Sequence, residues 1–165
     1  MDDNLKRKLE ELGESLGEAQ QTQKEQMKEK MIRDREFEVS AKQGFVRLRK
    51  DVILPFLDLA DGSFKGNPKP TLVYYTNEQL EGVKPVTENF IKVHFLIRGG
   101  KQIKSSSPYI EFNLNPYQNI ITVTKHVDMR GDKKFVQEHH GDTLQNVHVE
   151  DYLTSFVERC VTFYS

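Results

Sequence analysis

The sequence predicts an α+β protein: a long N-terminal helical arm of coiled-coil type, an antiparallel β-meander of about four or five strands, and a C-terminal helix packed against that sheet. Three observations predict it. From Asn4 to Glu36 there is no Phe, Tyr or Val, and the leucines recur at helical steps. From Thr71 onward the apolar period changes to two, the signature of strands with one covered face. From Val149 to Val161 it returns to a helical stripe. These changes divide the chain into a helical arm (1–36), a helix joining arm to head (37–62) and a sheet with its helix (63–165).

The arm opens with "LKRKLEELGESLGEA", where Leu5, Leu9, Leu12, Leu16 and Ala19 lie at alternating steps of four and three. That spacing keeps one edge of a helix apolar, and the preceding Asp2 and Asp3 favour a helix N-terminus through the macrodipole. The seam is short, and Gly13 and Gly17 each cost the helix roughly 1 kcal/mol relative to Ala. Continuing the register places Gln23, Gln26, Lys30 and Arg33 in the seam. Met27 and Met31 return to it after a four-residue phase slip, because Leu5, Leu16 and Met27 are spaced by eleven. Such a helix is marginal alone, reads as either a coiled coil or a partly disordered segment, and needs a partner surface.

The joining helix, "FVRLRKDVILPFLDLADG", carries Phe45, Leu48, Val52, Phe56 and Leu59 on one predicted stripe. Its second half is apolar nearly all round, which predicts burial. Pro55 has no amide to bond the Asp51 carbonyl and should kink or restart the helix. Gly62 ends it, and "GSFKGNPKP" reads as a linker.

The strands follow from alternation. "TLVYYT" is the first, an edge candidate flanked by Pro68, Pro70 and Pro85, with one of Tyr74 and Tyr75 facing inward and the other outward. A long loop, "NEQLEGVKPVTE", separates it from "NFIKVHFLIR", which places Ile91, Val93, Phe95 and Ile97 inward and Lys92, His94 and Arg98 outward. "YIEFNL" and "NIITVTKHV" repeat the pattern around an Asn115-Pro116 turn, and a weaker strand, "KFVQEH", follows a turn at Arg130-Gly131-Asp132. The last helix aligns Val149, Tyr152, Leu153, Phe156, Val157, Cys160 and Val161 as the cover for this sheet.

Charge and composition exclude several classes. Net charge is −1 and each half is nearly balanced, so there is no basic field for nucleic-acid phosphates or anionic lipid. No apolar run approaches a membrane span, and the N-terminus is acidic where a secretory signal is basic. One cysteine, Cys160, excludes an internal disulfide, and its place on the apolar stripe suits an inert thiol. The expected compartment is the cytoplasm.

The residues with metal-ligand chemistry are His94, His126, His139 and His140. Adjacent histidines in a strand face opposite ways, and no familiar zinc spacing is present, so "EHHGD" reads as a polar turn. "RGGKQIK" lacks the phosphate-loop patterns, and no nucleophile elbow occurs. No enzyme signature and no cofactor motif emerge. The expectation is therefore a non-enzymatic, self-associating scaffold or adaptor whose interface is Leu5, Leu9, Leu12, Leu16, Met27 and Met31, the partner being a second copy in a dimer or another protein. The alternative is a small-ligand or metal-binding domain, an enzyme without a recognisable motif among its forms. It would use a pocket between sheet and helices and the four histidines.

Overall fold

The computed structural model describes residues 2–77, 89–128, 130–131 and 134–164. The expected "NEQLEGVKPVTE" loop, apart from Asn77, lies outside the described residues, as do Pro85 and Asp132 of the predicted turn. The chain divides into two compact units, 1–37 and 38–165. Helix α1 (Asp3–Leu48) supplies all the regular structure of the first. Asp2 caps it: its carboxylate accepts from the Asn4 amide at 3.1 Å while its carbonyl accepts from Leu5 and Lys6. Within this unit every described side chain is exposed.

The second unit begins with the end of α1, where Ala41 and Phe45 are buried. A π-helical turn, Arg49–Ile53, follows, and α2 (Leu54–Ser63) continues from it. The Leu54 amide bonds the Arg49 carbonyl, five residues back. That bulge lies immediately before Pro55, which sits in the first turn of α2, where a missing amide is tolerated. The expected restart is thus present, and it has a consequence for the predicted stripe. One extra residue per turn rotates everything beyond it, so Ile53 and Leu57 are buried in line with Phe45, while Leu59 is 73% exposed. Leu59 is not a core residue because the bulge moved the helix phase.

Strands β1 (Thr71–Thr76), β2 (Asn89–Leu96), β3 (Tyr109–Asn115), β4 (Ile120–His126) and β5 (Phe135–His140) form an antiparallel meander in chain order, and α3 (Asn146–Tyr164) closes the chain. β1 and β5 are its edges. On the inner face Ile91 opposes Phe112, which opposes Val123; the next row runs Tyr74, Val93, Ile110, Lys125, Phe135. Ile91, Val93, Ile110, Phe112, Leu114 and Val123 are fully buried and join one core with Phe45, Ile53 and Leu57 and with Val149, Leu153, Phe156 and Cys160 of α3. Each such side chain contributes roughly 1.5–3 kcal/mol of burial free energy. Val161, expected on the α3 stripe, is exposed, because the core stops at Cys160 on that side of the helix.

Two connections do more than link. The "GSFKGNPKP" stretch is not a bare linker: Phe64 meets Phe95 edge to face at 5.7 Å and packs on the core. The β2–β3 turn brings Gly99, at φ +71°, so near Lys69 that a Cβ there would lie 2.5 Å from the Lys69 carbonyl oxygen. Only glycine fits that approach. Along the β1 edge, Asp61 of α2 accepts the Leu72 amide at 3.1 Å and so caps one outward-facing donor. Among the described residues no helix is long and apolar enough to cross a membrane.

Candidate functional site

The first candidate is the stripe on α1. Leu5, Leu9, Leu12, Leu16, Met27 and Met31 are 49% to 70% exposed. Their spacing keeps them along one helix edge. Isolated exposed apolar residues are ordinary on a surface; here six leucines and methionines share one helix edge. Its surroundings carry little electrostatic support of their own, with Arg7 and Glu11 at 3.8 Å as an exposed pair worth about 0.3 kcal/mol.

The four histidines do not converge. His94 and His126 lie on the outer sheet face in one cross-strand row, with Tyr109 directly between them. His139 points to the opposite, α3-covered side, as its pairing with Ile121 requires, and His140 returns to the outer face at the strand end, 3.6 Å from Asp142. Among the described residues no three His, Cys, Asp or Glu side chains are placed to hold a metal ion.

The outer face differs from an ordinary solvated one. Tyr75 stacks on His94, with ring centres 5.8 Å apart and 18° between planes, and meets Phe90 edge to face. His94 in turn contacts Tyr109, which meets His126, and the Lys92 ammonium lies 4.0 Å from the Tyr109 ring centre. His94 and His126 are buried. His126 Nε2 is bonded to the Gly131 carbonyl at 3.0 Å, so it carries the proton, and Nδ1 is buried with no hydrogen-bond partner among the described residues. Neither nitrogen of His94 meets a hydrogen-bond partner of normal geometry among the described residues. Burial, then the Lys92 charge, lower the His94 pKa to about 4, against a weak opposing effect of the Ser107 backbone. His94 is therefore a neutral ring at physiological pH, packed as an aromatic.

The second candidate, on the α3-covered side, centres on Lys125. Alternation puts Lys125 in phase with Ile121 and Val123, and it is indeed buried, its ammonium 4.5 Å from the Phe135 ring centre and 3.4 Å from Ser155 Oγ. Burial and the neighbouring Arg159 charge lower its pKa. Beside it the Tyr152 hydroxyl donates to Gln137 Oε1 at 2.8 Å and accepts from His139 Nε2. A groove of about 530 Å³ opens here between β4, β5 and α3, lined by Lys125, Phe135, Arg159 and Phe163 with Asp128 and Glu158 at its sides. The period-two pattern contained this lysine, but nothing in the sequence showed that it would share a groove with Arg159. A second cavity of about 390 Å³ lies where Phe45 and Val52 meet Asn119 and Asp142. Cys160 is buried in the core, and its thiol is pushed up to about 12 by that burial.

Comparison with protein-family models, with curated proteins and with solved structures returned no match.

Proposed function

We propose that this chain is a non-enzymatic assembly protein, a scaffold or adaptor that joins another helix through the α1 stripe and carries the sheet unit as its folded cargo or docking domain. The observation that supports the reading is the run of exposed leucines and methionines from Leu5 to Met31, in a stretch of α1 that holds no aromatic residue before Phe37. A helix of that composition gains too little from propensity alone to stay ordered in water, and a second helix seated on the stripe would supply what is missing. The sheet unit, by contrast, owns a complete core. The test is the mass of the full chain by light scattering, alone and mixed with a helical peptide bearing a matching leucine seam. The wild type assembles in at least one condition, and the Leu9→Asp/Leu12→Asp variant in neither. A wild-type chain at monomer mass in both overturns the reading.

The groove beside Lys125 supports a second reading, a small-ligand domain. A buried cation over the Phe135 ring, in a groove that Arg159 and Phe163 also line, suits an anion with an aromatic or apolar body. Thermal shift with aromatic carboxylates and phosphates tests it, because a ligand that prefers the native state raises stability.

A further inference from the structure

We infer that the occupant of the α1 stripe is a helix of a different chain, one with carboxylates along both flanks of its seam, and not a second copy of this protein. The inference rests on the assembly reading above and names its partner. Take Leu5 and Leu12 as one kind of seam position and Leu9 and Leu16 as the other. In a paired helix the residues one step beyond the first kind and one step before the second kind flank the seam and face the partner. Here those flanks begin with Lys6 and Lys8 and continue with Gly13, Ser15, Gln20 and Thr22. Where Met27 and Met31, four apart like Leu5 and Leu9, take the first and second kind in turn, which advances the register by one residue beyond Ala19 instead of by four, they are Lys28, Lys30 and Arg35. Five flanking residues are cations and none is a carboxylate. Every glutamate from Glu10 to Glu36 falls on the positions turned away from a partner, and the one described α1 ion pair before residue 37, Arg7 with Glu11, also lies there.

This arrangement disfavours self-pairing in either direction. In a parallel twin, flanking residues five apart meet across the interface, which sets Lys30 against Arg35 of the other copy, and Lys8 against an uncharged Gly13. In an antiparallel twin, like flanks meet, and lysine faces lysine. No alignment of two identical seams produces an attractive pair at these positions. A helix with glutamates at both flanks meets all five cations whichever way it runs. The seam itself is thin, with Gln23 and Gln26 interrupting the leucines, so flank charges carry more of the choice of partner than they would in a long zipper.

The experiment uses the full chain with two helical peptides of identical apolar seam and matching length, one with Glu and one with Lys at every flanking position. The chain alone remains a monomer by sedimentation. It binds the Glu peptide at least roughly tenfold more tightly than the Lys peptide at low salt, and the preference shrinks as ionic strength rises. Lys8→Glu/Lys30→Glu/Arg35→Glu reverses the preference, and its sheet unit keeps the wild-type unfolding midpoint. A chain that dimerises alone, with Leu9→Asp/Leu12→Asp abolishing the dimer, overturns the inference while leaving the assembly reading intact. Equal affinity for both peptides also overturns it. Binding to neither peptide by a chain that stays monomeric overturns both.

Discussion

The His94 imidazole lies against the Tyr75 ring at 5.8 Å with 18° between the planes, on the sheet face opposite the helices. That contact makes a titratable group part of the packing. The pKa of His94 falls from 6.5 to about 4 on folding, so below pH 6.5 the unfolded chain binds a proton that the folded chain refuses. Its stabilising contribution is complete above about pH 6.5 and is lost as the pH falls through 4, at most about 3 kcal/mol in all. Urea unfolding at pH 7, 5.5 and 4 measures this. His94→Phe keeps a ring in the stack, and its stability should fall less over the same interval. An unchanged acid loss in that variant would show that other groups dominate it.

Cys160 is expected to be chemically silent. Its thiol is buried in the core beside Phe156, and burial raises its pKa to about 12, so almost no thiolate exists at neutral pH. A thiol reagent should label the protein only in denaturant, at the rate of global unfolding. Cys160→Ala should cost about 1–2 kcal/mol through the space it leaves. Rapid labelling of the native chain would contradict the placement of this side chain.

Glycines at two places should respond with opposite signs. Gly99 holds φ +71° with Lys69 carbonyl oxygen in the way of any Cβ, so Gly99→Ala should destabilise the sheet unit by about 1–3 kcal/mol. Gly13 and Gly17 have open space around them within α1, so alanine at either should raise helix stability by roughly 0.5–1 kcal/mol. Thermal melts followed by circular dichroism distinguish the two outcomes.

Much of the architecture was legible because burial imposes simple periods. Ile91, Val93 and Phe95 on one face and Val149, Leu153, Phe156 and Cys160 on another are direct consequences of periods of two and 3.6. Leu59 was misread because a π-helical turn shifts phase without leaving a mark in composition beyond Pro55. Phe64 was hidden for a different reason: its glycine- and proline-rich setting reads as a loop, and its contact with Phe95 is long-range. The histidines were visible as chemistry and opaque as geometry. The opposite facing of His139 and His140 follows from adjacency, but the His94, Tyr109 and His126 row, with Tyr75 stacked diagonally on His94, depends on the register of four strands, which no single strand encodes. The α1 stripe is legible as apolar residues at helical steps, whereas the basic positions beside it depend on the register proposed for a paired helix.

Whether another helix covers the stripe of α1 is decided by amide hydrogen exchange on the full chain with and without the Glu-flanked peptide. If the proposed pairing holds, amides of residues 3–36 exchange rapidly in the chain alone and slow at least roughly tenfold when the peptide is added, while those of β2 to β4 and α3 keep the same protection in both. Protection of residues 3–36 that is the same with and without the peptide would contradict it.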